Sequence, residues 1–279
     1  MSCPLCGARD LRTHGEYIEC PSCGYWCSML PVDAADTSAP DSEYELVSYE
    51  HTRRDNYARI LDLLAQRHGH GARLLELGCA DGLFLAMAQE RGYRAVGIEP
   101  NEKMEAGNPH RQDIRRGFFP GVLEGDERFD VIALNCVFEH VPDASAMLAA
   151  FARHLAPGGS VMLNVPVSSG LMFKVARSMY RLGVRYPFDR IWQKGFVSPH
   201  VHYFAKQNLS RLLGQHGFSL VGETDLALFS LGGVNRRLGL DPNIRAMQRY
   251  STLAALYLYY PVSRMLPDAR AFVFTRGAG

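Results

Sequence analysis

The run Arg73-Leu74-Leu75-Glu76-Leu77-Gly78-Cys79-Ala80-Asp81-Gly82-Leu83-Phe84-Leu85 decides the architecture. An apolar segment enters a turn bracketed by two glycines and leaves it on helical spacing. That is strand, tight turn and helix, the first βα unit of a nucleotide-binding α/β sheet. Beyond that helix, Arg94-Ala95-Val96-Gly97-Ile98-Glu99 reads as a second strand. It ends in an acid seventeen residues after Gly82, where such sheets hold a ribose diol. Arg128 to Asn135 is a further buried strand. Phe151 to Leu155 ends a helix, Pro157-Gly158-Gly159 makes a turn, and Ser160 to Val165 is the next strand. Leu209 to His216 reads as helix, Phe218 to Glu223 as strand and Ala271 to Thr275 as the last strand. On the N-terminal side, Tyr57, Ile60, Leu61 and Leu64 carry helical spacing through Arg53 to His68, which Gly69-His70-Gly71 ends. Strands alternating with helices predict a doubly wound, Rossmann-like α/β fold with a mainly parallel sheet covered on both faces.

Composition agrees. Of 279 residues, 47% are hydrophobic and 21% charged, which excludes disordered, collagenous and coiled-coil classes. No apolar run approaches the ~18 residues of a membrane span, and the polar, cysteine-rich start lacks an apolar leader, so a cytoplasmic location is expected. The net charge of +1 conceals an asymmetry. Residues 170–279 carry fifteen Lys/Arg against five Asp/Glu, a local net of +10. Such a basic end suits either an anionic partner or a solvated face.

Five of seven cysteines lie in the first twenty-seven residues. Cys3 and Cys6, then Cys20 and Cys23, form two C-x2-C knuckles, each followed by a glycine (Gly7, Gly24) that lets the backbone turn its N–H groups toward the sulfurs. Two such knuckles supply four thiolates in a tetrahedron suited to structural zinc, or iron in the same cage. Glu16 to Glu19 alternates like a strand between them; Cys27 and His14 are spare donors. A module this short folds on its metal. The chain therefore divides into a zinc-ribbon-like module over 1–30, a Pro/Ser/Asp linker over 31–52, and an α/β domain over 53–279 with an insertion at about 168–197.

The central region resembles the class I S-adenosylmethionine-dependent methyltransferases, the small-molecule group that includes the quinone-biosynthesis O-methyltransferases. Five motifs fall in order: Glu76 to Gly82; Glu99; Glu139-His140-Val141-Pro142-Asp143; Leu155-Ala156-Pro157-Gly158-Gly159; and His202-Tyr203-Phe204 with Leu209, Leu212, Leu213, Gly217 and Phe218. The resemblance covers about residues 53–225. It implies S-adenosylmethionine on Glu76, Gly78, Cys79, Ala80 and Gly82, with Ala80 where the family has its middle glycine. Glu99 takes the ribose hydroxyls, Asp113 and Ile114 border the adenine after the third strand, and Asn135 and Cys136 approach the methionine part. The carboxylate at 76 favours a methionine ammonium over a dinucleotide pyrophosphate.

Methyl transfer needs alignment and often a base. His140 is the first candidate, beyond the fourth strand at the edge where ligands bind. His200 and His202 are next; their alternation in an extended segment puts both on one side, lining an acceptor pocket. The insertion, where the resemblance implies a cap over the acceptor site, interleaves Phe173, Tyr180, Tyr186 and Trp192 with Lys174, Arg177, Arg181, Arg185, Arg190 and Lys194, which suits an anionic or amphipathic small acceptor, or contact with a membrane surface. Two other functions stay open: methylation of an RNA base, as in a ribosomal guanine-methylating family that also opens with a zinc ribbon, and non-catalytic adenosylmethionine binding.

Overall fold

The two cysteine knuckles bracket a small antiparallel sheet, β1 (Arg12–His14), β2 (Tyr17–Cys20) and β3 (Tyr25–Ser28). The computed structural model, which describes residues 2–32, 43–101, 111–228 and 246–277, then enters a long helix, α1 (Glu43–Ala65). The linker expected over 31–52 is thus helical from Glu43 onward, and residues 33–42 lie outside the described ones. β4 (Arg73–Leu77) follows, with α2 (Leu83–Glu90) and β5 (Arg94–Glu99). Its leucines point to alternate sides. Leu75 and Leu77 join a core with Ile132, Leu134 and Phe151, while Leu74 joins another with Ile60, Leu61 and Phe84. A strand needing cover on both faces belongs in the middle of a two-faced sheet.

Next come β6 (Ile114–Arg116), β7 (Phe129–Asn135), α3 (Ala144–His154) and β8 (Leu155–Pro166). The cap consists of α4 (Leu171–Arg181) and α5 (Tyr186–Ile191). After it lie β9 (His202–Tyr203), α6 (Lys206–Gln215), β10 (Phe218–Leu226), α7 (Ala246–Ser263) and β11 (Ala269–Arg276). The seven-stranded sheet is ordered β10-β11-β8-β7-β4-β5-β6. All its neighbours are parallel except β11, which runs antiparallel to both β8 and β10. The order reverses at β4 and β7, so a ligand crevice opens beyond their carboxyl ends.

Two local expectations change. Pro157-Gly158-Gly159 lies inside β8: the ladder with β7 jumps from Phe129↔Leu155 to Val131↔Ser160, and Gly158 takes φ +74°, so the turn is a bulge within one strand. β9 does not join the large sheet. It pairs with β3 through Trp26↔Tyr203 and Cys27↔His202, and so completes the sheet of the cysteine module.

Candidate functional site

The crevice floor is the turn after β4. Gly78 adopts φ +67°, and a Cβ there would stand 2.7 Å from Val137 Cγ2, so only glycine allows both this backbone and this close approach of Val137 to the turn. Gly82, at φ +73°, caps α2 without a side chain, and the Leu83 N–H of the first turn donates to Asp81 Oδ1 at 3.3 Å. Ala80 and Cys136 hold left-handed backbone at φ 45° and 55° without being glycine; such strain collects at ligand sites. The Cys79 side chain points away from the crevice: its Sγ fills the place a Cβ on Gly97 would occupy, so only its backbone faces the turn.

Two acids line the floor. Glu76 is 2% exposed; Oε1 accepts from Asn135 Nδ2 at 2.9 Å and Oε2 has no partner among the described residues. Burial pushes its carboxyl up to about 8, against the Asn135 bond. An orphaned buried carboxylate oxygen fits an ammonium from a ligand. Glu99 ends β5, where Oε2 accepts from Ala80 N–H and Oε1 from Asn101 N–H, both at 2.9 Å. Those bonds fix the carboxylate at the crevice edge, and each oxygen keeps a lone pair for a diol. Asn164, on β8, donates to Asn135 across the same floor, and its own Oδ1 has no partner among the described residues.

Asp113 and Ile114 are not beyond the third strand. Ile114 opens β6, paired with Gly97, two residues short of the level of Glu99, and Asp113 lies in the turn before it, accepting from Gln89 Nε2 at 2.9 Å. The carboxyl edge comes after Arg116. Ile114 is buried because it sits inside the sheet, a position its sequence neighbours do not announce. Sequence reasoning also passed over Arg53, whose guanidinium grips Asp81 of the turn with two bonds of 2.7 and 2.5 Å and so ties α1 to the floor. An Arg on a helix carries no motif signal; only the fold brings it to Asp81.

On the acceptor side, His140 and His200 meet. Their ring centroids are 4.8 Å apart and edge-on. His140 Nδ1 lies 3.1 Å from the Pro199 carbonyl, which can only accept, so that nitrogen carries the proton and Nε2 is left as the basic one. Burial lowers the His140 pKa and takes His200 down to about 3, helped there by His140. His200 Nδ1 and Glu139 Oε2 are buried without partners among the described residues, and burial pushes Glu139 up to about 8. One ligand atom from each of Glu139, His140 and His200 lies within 4.8 Å of the others. Such a group can relay a proton or hold a divalent cation.

His202 does not join them. Tyr25 Oη lies 2.5 Å from its Nδ1, its Nε2 lies 2.9 Å from the Val141 carbonyl, and it borders a cavity of about 550 Å³ shared with Leu11, Tyr25, Cys27 and Pro142 on the module side. Strand geometry begins only at His202, so the alternation expected from His200 does not apply. The cap's cations are largely engaged as well. Arg177 pairs with Glu19, Lys194 with Glu16, and Arg185 and Arg190 lie over Tyr180 and Phe196.

In the module, Sγ of Cys3 and Cys23 are 3.7 Å apart, and those of Cys6 and Cys20 3.5 Å. A tetrahedron of 2.3 Å zinc–sulfur bonds has edges of about 3.8 Å. None of the four is in a disulfide, and Cys27 stands outside the group.

Comparison with known proteins agrees with this layout. Residues 49–223 match a family described as a methyltransferase domain. The chain is 29% identical over 232 residues to nocamycin O-methyltransferase of Saccharothrix syringae, covering 77% of this chain and 79% of that one. It is 29% identical to a ubiquinone biosynthesis O-methyltransferase of Hahella chejuensis, covering 50% of this chain and 63% of that one, less than two thirds of its length. In fold it is similar to a methyltransferase from Thiobacillus denitrificans solved with S-adenosylhomocysteine, with a TM-score of 0.52 at 17% identity over 86% of this chain and all of that one.

Proposed function

This chain belongs to that methyltransferase-domain family, and from that membership we propose that it transfers the methyl group of S-adenosylmethionine to an oxygen of a small amphipathic acceptor in the cytoplasm. The observation that carries the reading is the crevice floor: a buried Glu76 oxygen lacking a partner among the described residues, a Glu99 held at the edge, and a left-handed Gly78 turn between the two strands. Glu76 receives the methionine ammonium with Asn135, Glu99 receives the ribose hydroxyls, and the backbone of Gly78, Cys79, Ala80 and Gly82 faces the cofactor. Cys136 stands at the methionine end. The adenine border falls to the carboxyl end of β6 rather than to Asp113 and Ile114.

His140 Nε2 takes the acceptor proton as the oxygen attacks, with His200 beside it. The orphaned atoms of Glu139 and His200 favour a second reading of the same corner, in which Glu139, His140 and His200 hold a divalent cation. Such a cation lowers the pKa of an acceptor hydroxyl. Cys3, Cys6, Cys20 and Cys23 hold structural zinc. Leu182 and Tyr186, 83% and 75% exposed beside Arg181 and Arg185, suit an acceptor or a bilayer with an apolar body and an anionic surface.

The test is release of S-adenosylhomocysteine by the purified full chain over a panel of phenolic and hydroxyl acceptors, with and without added Mg²⁺ or Zn²⁺. Turnover with a small acceptor is expected. Methylation of ribosomal RNA alone, or tight cofactor binding with no turnover on any acceptor, overturns the proposal. Loss of turnover on mild chelation that leaves the four-cysteine zinc in place, restored by Mg²⁺, selects the second reading of the corner.

A further inference from the structure

The module that sequence alone sets apart is built into the acceptor side. Its sheet is finished by β9, from the catalytic domain. One face of that sheet, Tyr17 and Trp26, packs with Phe173 of α4 and with Phe188 and Trp192 at α5 in a core separate from the two that flank the large sheet. The cap therefore buries its apolar side on the module. Polar contacts cross the same boundary. Glu19, 7% exposed, takes Arg177 Nη2 at 2.5 Å, Tyr17 donates to Asp189 at 2.7 Å, and Tyr180 donates to the His14 carbonyl at 3.0 Å.

The contacts continue to the site. Ser28, the last residue of β3, donates its hydroxyl to the His200 carbonyl at 2.8 Å and its N–H to the Val201 carbonyl at 3.1 Å. His200 N–H in turn donates to the Trp192 carbonyl at 3.1 Å, and Val201 N–H to the Glu139 carbonyl at 2.8 Å. β2 ends on Cys20, and β3 starts two residues after Cys23. The second knuckle thus sets the two strands that grip the cap and the His200 segment. Among the described residues no hydrogen bond joins Glu76, Gly78 or Glu99 to the module; α1, β5 and β7 hold them, and the module reaches their strands only through the shared core, where Cys3, Cys20 and Tyr25 join Leu75 and Leu77.

From this we propose that the four-cysteine module is the positioning element of the acceptor side: its metal keeps the cap and His200 in place, while the cofactor floor stands independently of it. The proposal rests on the reading of the His140–His200 corner and the cysteine site given above.

The molecule carries its own probe. Its two tryptophans, Trp26 and Trp192, both lie in the module–cap core. The full chain is stripped of metal with a thiol reagent and chelator, reduced, and reloaded with Zn²⁺ alone. On stripping, tryptophan emission is expected to shift to longer wavelength. Amide exchange over residues 171–191 and 200–203 should rise about tenfold or more, and affinity for S-adenosylhomocysteine should stay within about twofold. Reloading reverses all of it. Glu19→Gln, which leaves the cysteines intact, is expected to raise acceptor KM without moving cofactor affinity, and Arg177→Met in that background adds little, because the two residues form one pair. Unchanged emission and cap exchange in metal-free protein overturn the proposal, as does exchange that rises equally over residues 73–99, since the module would then serve only general stability. If the cap loosens as described but His140→Ala and His200→Ala keep full turnover, the coupling stands and the reading of the corner fails.

Discussion

Glu76 joins the end of a buried strand to a carboxylate whose second oxygen awaits a partner. Its pKa of about 8 follows from burial, and a cofactor ammonium placed against it reverses that shift. Binding S-adenosylhomocysteine at pH 7 is therefore expected to release most of one proton from Glu76, read by calorimetry in buffers of different ionisation enthalpy, and Glu76→Gln removes that release. Glu99→Ala deletes a charged acceptor of two hydroxyl bonds and should weaken cofactor binding by ~1.5–3 kcal/mol. Unchanged affinity on a titration would remove Glu99 from the site. His140→Ala should lower kcat by ~10²–10⁴ if Nε2 is the base. His202→Ala acts through stability instead, because both ring nitrogens are placed against Tyr25 and Val141. At this scale the sequence already points to Glu76, Gly78 and Glu99, since a glycine turn and a strand-end acid are local signals. The division of labour between His200 and His202 is not legible there. It depends on β3 arriving beside β9 from 175 residues away in the chain, and no local spacing encodes that pairing.

Among the elements, β4, β5 and β7 are legible because each is a short, largely apolar run, β4 ending at a glycine turn and β5 and β7 at a polar residue, whereas β6 is three residues long with only Ile114 buried. Its weak apolar signal is why the position of Asp113 is misjudged. The cap is legible as an insertion but not as a partner of the module. Its charge pattern suggests an anion grip, yet Arg177 and Lys194 are matched by Glu19 and Glu16, acids from the opposite end of the chain. The tip of the cap is exposed, with Leu182, Val184 and Tyr186 beside Arg181 and Arg185. That combination suits the surface of an anionic bilayer, where apolar side chains enter and cations stay at the headgroups. Co-sedimentation with vesicles of mixed neutral and anionic lipid is expected to fall about tenfold or more for the pair Leu182→Ser, Tyr186→Ser, at ~1.5–3 kcal/mol for each large apolar side chain withdrawn. High salt should weaken what remains. Equal sedimentation of both proteins would confine the tip to a role within the enzyme.

Over the whole molecule, two sets of buried groups pull stability in opposite directions with pH. His200 and His202, at about 3 and 4, are held neutral when folded but charge near 6.5 when unfolded. The unfolded chain binds their protons first, so stability gained from them is lost as pH falls below 6.5. Glu76 has the opposite sign. At about 8 it keeps its proton in the folded protein through the range above 4.5 in which the unfolded chain has released it. Its contribution is therefore full below 4.5 and disappears as pH rises to 8. Between 6.5 and 8 the histidine contribution is constant, while those of Glu76 and Glu139, both pushed up to about 8 by burial, still decline, so the comparison with a Glu76 variant is what isolates Glu76. The difference in unfolding free energy between the native protein and Glu76→Gln, followed by denaturant titration at fixed metal loading, is expected to shrink across this window. Saturating S-adenosylhomocysteine should remove the Glu76 share of the decline in the native protein, because its ammonium stabilises the ionised carboxylate, and should leave the slope of the variant unchanged. A difference between the two proteins that stays constant from pH 6.5 to 8 would mean that Glu76 is already ionised in the apoprotein, and the proton release argued for cofactor binding would fail with it.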